Sequence, residues 1–441
     1  MINGRKIGKF YVSLQKKDKR MTAIVGVLNK HGVALAADSA VTFGNTHKVV
    51  NTGNKVFALS KYHPVAVATY GRSAFMGTPW DIIIKLYRKK LGKHSFPKLN
   101  EYVDDFIKYL HDQKFFAEVL TQHRYLRDNI LDFYNKVERQ ARECRGFRED
   151  NATSFVLQKL NECLSSNKTS GTELCPEFVD YTLEQFKAFA SSEINEVLGT
   201  KPYLIEDKHK ELFVESYFYY LRIVLETIDS TGLVFFGYGD TEIYPSLYPL
   251  TVSFGIEDRI HYYFVKPTII QENGTVASVI PFAQIDVSQT IIRGINPSFY
   301  DVLAETFKDS LSGFANQIAR IIKPINATAS DAILKLDLDA VTRNFIESTN
   351  GQFKEKYTDS LLDTIVSLDK EDMSNMAESF VSLTSLVRRM SPGEETVGGP
   401  VDVVFVSKGD GLIWMKRKHY FKPELNNQFF INYYNDYQEN E

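Results

Sequence analysis

The chain lacks most of what would assign it to a specialised class. Its 441 residues hold three cysteines, Cys144, Cys163 and Cys175. That is too few for a disulfide framework and fits a reducing cytoplasm, where we expect the protein to reside. No apolar run approaches the length of about 18 residues that a membrane span requires, so no membrane association is expected. The first twenty residues are basic and have no apolar core of the kind a secretory signal carries. Charge of neither sign is in excess: 52 Lys and Arg stand against 55 Asp and Glu, a net charge of -3, which excludes a broad electrostatic pull toward nucleic acid. There is no H-E-x-x-H and no C-x-x-C, and the nine histidines are scattered, so neither a metal site nor a cofactor is expected. The glycine-rich "GYGDTE" from Gly237 lacks a Walker or dinucleotide context and reads as a strand-end turn. The basic-aromatic run "MKRKHYFKPE" from Met415 reads as a solvated strand end, ahead of a nucleic-acid contact. No repeat of fixed period and no low-complexity tract occurs.

What is present is a globular composition, 44% hydrophobic and 13% aromatic. From Thr22 to Tyr70 the pattern is one of short strands: "AIVGVL", the turn "NKHG", "VALAA", "HKVVN", "KVFALS" and "VAVATY". "AFMGTPWDIIIKLYRKKL" then reads as a helix, and Leu99, Val103, Phe106, Ile107 and Leu110 mark the next at helical spacing. Residues 95–229 are helical in pattern, with "LSSNKTSGTELCPE" as an internal loop. Strands resume at "GLVFFGYG" and continue through "ASVIPFAQI". A second helical block runs over 297–390, interrupted near "KPINATAS", and the chain closes with a hairpin around Gly409, Asp410 and Gly411. Strands and helices in separate blocks predict an α+β layered fold with helical insertions, not a doubly wound βαβ sheet.

The stretch "MTAIVGVLNKHGVALAADSAVTFGN" from Met21 carries the chemistry. A hairpin turning at Lys30 and His31 places Thr22 across from Asp38 or Ser39. An aspartate that ends an apolar strand needs a cation nearby, and Lys55, at the head of "KVFALS", can supply it. Thr22, Asp38 and Lys55 then make a nucleophile, an orienting carboxylate and an ammonium that tunes them. The missing general base is the α-amine of Thr22 once the preceding chain is gone, with an ordinary pKa of about 7.7–8.0.

This segment resembles the opening of proteasome β-type subunits and of the simpler bacterial proteasome-like peptidases, both N-terminal nucleophile hydrolases. The shared features are the threonine at the start of strand one, the G-V-x-L-A-A-D strand, Thr42, the "FGNT" turn, and "NTGNKVFALS" with its lysine. Near the C-terminus "VGGPVDVVFVSKGDG" is similar to the family's G-G-x-x-D strand and K-D-G hairpin. The resemblance covers about 75 residues at the front and about 25 at the back, and it implies a four-layer αββα sandwich with large helical insertions. On that plan residues 1–21 are a leader or an over-called start, and 22–94 form the first half of the sandwich. Residues 95–230 are a helical insertion, 231–296 strands of the second sheet, 297–395 a helical segment and 396–441 the C-terminal strands.

The resemblance implies that Thr22 is the nucleophile, that Asp38 orients Lys55, and that Lys55 lowers the proton affinity of Thr22. It puts Thr42 at the edge that pairs with an extended substrate, and the backbone N–H of Thr69 or Gly71 at the oxyanion. Ser39 is a supporting candidate. The family's Ser and Asp before Gly-Gly are replaced here by "SPGEETVGGP", where Glu394, Glu395 and Thr396 are the stand-ins, and its G-S-G turn by "IPFAQIDVSQ", with Gln284 or Asp286. Met21 directly before Thr22 suggests a start codon at Met21 with the methionine trimmed, ahead of a self-cleaved leader or a functional basic arm. The expected activity is hydrolysis of peptide amides through a threonine ester, on peptide or protein substrates. A small-molecule amidase or a non-catalytic scaffold are the alternatives. A homo-oligomer is expected, and nothing in the sequence supports an ATP-dependent unfoldase as a partner. The long insertion is expected either to cap the cleft or to replace a ring contact.

Overall fold

The computed structural model describes residues 22–43, 48–50, 53–115, 118–169, 173–204, 206–224, 230–391, 397–419, 421–428 and 431. The opening apolar segment folds into the expected hairpin of β1 (Ala23–Asn29) and β2 (Gly32–Ala37), with Asn29 opposite Gly32 and the turn at Lys30 and His31. Short strands β3 (Val41–Phe43) and β4 (Lys48–Val50) pair with each other. β5 (Val56–Ala58) and β6 (Val65–Gly71) follow. The segment read as the start of a helix instead makes a two-residue hairpin, β7 (Ala74–Phe75) and β8 (Thr78–Pro79), before α1 (Trp80–Leu91). Met76 and Gly77 both hold positive φ, 48° and 89°, which a helix cannot accommodate, and Pro79 sets the helix boundary.

The helices α2 (Leu99–Asp112), α3 (Val119–Arg142), α4 (Ala152–Lys168), α5 (Leu183–Leu198) and α6 (Asp207–Arg222) occupy the middle of the chain. α4 runs on through Lys168, so the first part of the expected "LSSNK" loop is helix. β9 (Thr231–Gly237), β10 (Ser246–Ile256), β11 (Arg259–Phe264), β12 (Thr268–Ile269) and β13 (Ser278–Ala283) come next. The later helices are α7 (Asp286–Arg293), α8 (Pro297–Ile322), α9 (Ala327–Leu334), α10 (Leu338–Phe353), α11 (Ser360–Val366) and α12 (Lys370–Met390). Four of them start on a short polar cap: Asn296, Asn326, Asp337 and Asp369 accept N–H groups from the first turns of α8, α9, α10 and α12. The hairpin β14 (Asp402–Ser407) and β15 (Gly411–Lys416) completes the set. The class is α+β, as expected, with antiparallel pairing along both main sheets among the described residues.

Two compact units divide the chain, one of residues 1–55 and 269–441, the other of residues 56–268. In the first unit the sheet order is β13-β1-β2-β14-β15. β13 pairs with β1, so the strands between residues 231 and 296 are shared between two sheets. One sheet face carries Ala23, Val25, Val27, Ala34, Ala36, Val403 and Phe405, packed with Met373, Ala377, Phe380 and Val381 of α12 and Ile365 of α11. The alanines let α12 lie close to β1 and β2, and its apolar stripe recurs at helical spacing. In the second unit β11-β10-β9-β6-β5 form the sheet. Its core is strongly aromatic: Phe106 of α2 meets Phe235 of β9 edge-on at 5.3 Å and Tyr87 of α1 at 5.0 Å. Trp80 donates its indole N–H to Thr231 Oγ1 at 2.9 Å, and α3 to α6 pack on one another beside this sheet.

Asn29 links the first hairpin to α11. It is fully buried, its Nδ2 donates to Ile365 O at 2.9 Å and Leu368 O at 3.0 Å, and its Oδ1 accepts from His31 N at 2.8 Å. Ile365 O lies in the last turn of α11 and also accepts from Leu368 N at 3.2 Å, while Leu368 stands two residues beyond the helix, so Asn29 fastens the turn that ends α11. Asn29→Asp would turn a donor into a carboxylate facing two carbonyls, and we predict a loss of about 3 kcal/mol at neutral pH. That carboxyl would have a folded pKa raised above its unfolded value of about 3.9. The penalty is therefore full above the folded pKa and shrinks as pH falls through it, when a protonated oxygen can donate again. Chemical denaturation at pH 8 and pH 4.5 should show the gap to wild type narrowing at the lower pH; an equal gap at both would contradict this account.

Candidate active site

Thr22 sits just before β1 and Asp38 just after β2. The hairpin register makes them neighbours: Ile24 faces Ala37, so Ala23 stands opposite Asp38 and Thr22 opposite Ser39. Asp38 N–H donates to Ala23 O at 3.1 Å, and Ala23 N–H returns a bond to Asp38 Oδ1 at 2.9 Å. The other carboxylate oxygen accepts from Ala40 N at 3.1 Å and Gly398 N at 3.3 Å. Asp38 is 1% exposed, and these three N–H groups satisfy the buried carboxylate from the backbone side.

Lys55 supplies the cation. Its Nζ lies 2.7 Å from Asp38 Oδ1 and 3.1 Å from Thr22 Oγ1, donating to both. Lys55 and Thr22 are each 5% exposed. Burial pushes the Lys55 ammonium below the ordinary lysine range; the Asp38 charge and hydrogen bond pull the other way, and the Lys418 charge adds to the downward push. A lysine with weakened hold on its proton, hydrogen-bonded to a threonine hydroxyl, is suited to stabilising a developing alkoxide.

The surroundings hold this core in place. Ser39 N–H donates to Gly398 O at 3.1 Å, its hydroxyl bonds to Pro400 O, and its carbonyl accepts from Gly53 N at 3.1 Å. Ser39 therefore ties the 398–400 loop and the approach to Lys55 onto the hairpin. Gly399 allows that loop its positive φ of 74°. On the other side, Gln284 N–H donates to Thr22 O at 3.1 Å. Ala283 before it holds φ 64°, a conformation rare for a residue with a side chain, and turns the chain off β13 toward Thr22. Arg388, in the last turn of α12, hydrogen-bonds Gln284 Oε1 through Nε and pairs with Asp286 Oδ1 through Nη2.

Thr22, Asp38 and Lys55, named from the sequence, thus meet at one point, with Ser39 and Gln284 bonded around them and Asp286 joined to Gln284 through Arg388. Thr42 lies in β3 opposite Val49. Thr69 and Gly71 lie on β6 of the second unit, opposite Leu233 and Thr231. Gly71 has φ 83° and no room for a Cβ, which would stand 2.5 Å from Ser230 O. Glu394, Glu395 and Thr396 fall outside the described residues. Arg388 was missed, since a basic residue in the last turn of an amphipathic helix reads as a solvated dipole partner. In the basic-aromatic run after β15, Met415, Lys416, Arg417 and His419 are exposed as expected of a solvated strand end, and Lys418 is the exception, its side chain 9% exposed and paired with Asp402, 5% exposed. Among the described residues no cluster of His, Cys, Asp or Glu is placed to hold a metal ion, and no helix is long and apolar enough to cross a membrane.

No protein-family model and no curated protein matches the chain. Several solved structures are similar to it, two Anbu structures among them. Anbu (ancestral beta-subunit) from Yersinia bercovieri has 9% identity and a TM-score of 0.29, with 95% of this chain and 98% of that chain covered. An Anbu (Gly-1) mutant from Hyphomicrobium sp. strain MC1 has 8% identity, the same TM-score of 0.29, and coverage of 95% and 98%. At that score the superposition decides nothing, and the site stands on its own geometry.

The buried pair makes a stability prediction. Asp38→Asn leaves the Lys55 ammonium buried without its counter-ion, which should cost about 3–5 kcal/mol. Adding Lys55→Met removes the orphaned charge, so the double variant should be more stable than Asp38→Asn alone. Chemical denaturation of the four proteins in this cycle measures the coupling; additive single losses would show that the two groups do not interact.

Proposed function

We propose that the chain is a threonine-type N-terminal nucleophile hydrolase that cleaves amide bonds, with peptides or proteins as substrates and a proteasome-like mechanism. The observation that carries the proposal is one buried ammonium placed 3.1 Å from the Thr22 hydroxyl and 2.7 Å from the Asp38 carboxylate. In this reading the chain begins at Thr22, whose α-amine is then a base with an ordinary pKa near neutrality, about 7.7–8.0. Thr22 Oγ1 attacks the scissile carbonyl carbon while its proton passes to the amine. The C–N bond of the tetrahedral intermediate breaks as the amine returns that proton to the leaving nitrogen, giving an ester on Thr22. A water molecule, deprotonated by the same amine, hydrolyses the ester and restores the threonine. Lys55 favours the developing alkoxide, Asp38 holds Lys55, and Gln284 fixes the Thr22 carbonyl, held in turn by Arg388.

A backbone N–H of β6, at Thr69 or Gly71, is assigned to the oxyanion and Thr42 to the substrate edge as parts of this proposal. So are the four-layer stacking of the two sheets, a cytoplasmic location and self-association. The exposed apolar side chains Phe314, Ile321 and Ile325, on and just beyond α8, support self-association.

The test uses protein whose intact mass corresponds to a chain starting at Thr22. It should release a reporter amine from a peptide amide. Thr22→Ala should lose turnover to background, and Thr22→Ser should keep part of it. Retaining Met21, which blocks the amine, should cost on the order of 10²–10⁴-fold, the worth of a general base. Thr22→Ala is the decisive variant, because Asp38→Asn also removes stability. Full turnover in Thr22→Ala would overturn the proposal, and full turnover with Met21 retained would overturn the amine as base. Turnover confined to small non-peptide amides would move the substrate class to an amidase.

A further inference from the structure

A second ion pair, a buried carboxylate with a part-buried lysine whose side chain is 9% exposed, occupies the same end of the first unit's sheet. In the order β13-β1-β2-β14-β15, with all pairings antiparallel, one end collects the start of β1, the end of β2, the start of β14 and the end of β15. Thr22 and Asp38 stand there already. Asp402, the first residue of β14, is opposite Ala37, next to Asp38 in the chain. Lys418, two residues beyond β15, pairs through Nζ with Asp402 Oδ2 and donates its backbone N–H to Asp402 Oδ1 at 2.8 Å. Side chain and backbone together fix Lys418 on this carboxylate. A buried ion pair is seldom kept for stability, because apolar residues of similar volume serve as well. The placement beside the hairpin that holds Thr22 gives it a different use.

We propose that Lys418, anchored by Asp402, is a positioning residue of the Thr22 site: a second, largely sheltered cation that sets the field in which Lys55 and the Thr22 nucleophile work. The proposal rests on the hydrolase reading above. A positive charge here disfavours a second proton on its neighbours, and burial and Lys418 act on Lys55 in that same direction. The amine of a chain that begins at Thr22 would feel the same field and so remain an unprotonated base to lower pH. The charged groups around Lys55 are Asp38 just after β2, Lys418 from the chain after β15 with its partner Asp402 of β14 and, in a chain that begins at Thr22, the Thr22 amine. The Asp286–Arg388 pair of α7 and α12 stands on the Gln284 side of Thr22.

The test is made on the full protein with selectively labelled lysines, following the NMR titration of Lys55, whose signal is assigned by its loss in Lys55→Arg. Lys418→Met should raise the Lys55 midpoint by about one pH unit, the order expected of one charge removed at an effective dielectric of about 20. It should also move the acid limb of the kcat profile to higher pH. Lys418→Arg, which keeps the charge, should hold both near wild type. Since Lys418→Met strands a buried carboxylate, Lys418→Met/Asp402→Asn is the second variant, with a smaller shift in the same direction. A folded variant of either kind with an unmoved Lys55 midpoint would overturn the proposal and leave the pair a purely structural one. A wild-type chain with no turnover would defeat the hydrolase reading instead, while the titration would still decide the influence of Lys418 on Lys55.

Discussion

The arrangement of the first unit depends on taking two opposite charges out of water at one place. Moving a carboxylate and an ammonium into a protein interior costs several kcal/mol for each ion, and their attraction offsets this only with good geometry and saturated hydrogen bonding. Asp38 reaches saturation with one lysine and three backbone N–H groups, from Ala23, Ala40 and Gly398. Each donor comes from a different piece of chain, and each piece is thereby fixed. Ala23 sets the hairpin register, Ala40 the turn out of β2, and Gly398 the loop that feeds β14. The order β1-β2-β14 is what these requirements look like when written as a sheet.

The helix beneath that sheet serves the same end. α12 lies against a face of alanines and valines, so it approaches β1 and β2 closely and brings its last turn to the end of the sheet where Thr22 is. There it does two things. Ser385 donates to Val397 O at 3.3 Å, steadying the loop that carries Gly398. Arg388 spans Gln284 and Asp286, so the chain leaving β13 is held where its backbone N–H can meet Thr22 O. Cations in the last turn also suit the negative end of the helix. Packing, capping and the geometry around the threonine are therefore not separable contributions: a larger residue at Ala34 or Ala36 would push α12 outward and carry Arg388 with it.

How much of this was legible in the sequence follows from how far apart the partners lie in the chain. The β1–β2 hairpin could be read because its turn and both apolar strands are contiguous, and its register brings Thr22, Ser39 and Asp38 together with no further information. Lys55 could be read because a buried aspartate demands a cation and one follows at the head of the next apolar run. Arg388 lies 104 residues from Gln284, and nothing local distinguishes it from the neighbouring Arg389. Lys418 sits in a run of basic residues that looks solvated, and only the placement of β15 beside β14 brings it to Asp402. The short β7–β8 hairpin was lost for a different reason. The positive φ of Met76 is imposed on a residue whose type gives no sign of it.

The two cations at this end of the sheet bear on which group can serve as base. The Lys55 ammonium already directs donors at Asp38 and at Thr22 Oγ1. In that state it has no lone pair with which to take the hydroxyl proton. To act as base it would have to be neutral first, exchanging an ion pair for a bond between a neutral amine and a buried carboxylate and leaving that carboxylate's charge without a counter-ion. The α-amine of a chain that begins at Thr22 would carry no such obligation and would be covalently tethered to the nucleophile it deprotonates. Cationic neighbours that lower its proton affinity would keep it available at neutral pH. They also favour negative charge on Oγ1, so the same field that frees the base assists the nucleophile. In the proposed chemistry the labour therefore divides: the two lysine side chains shape the potential, and the group that moves the proton is the amine of a chain beginning at Thr22.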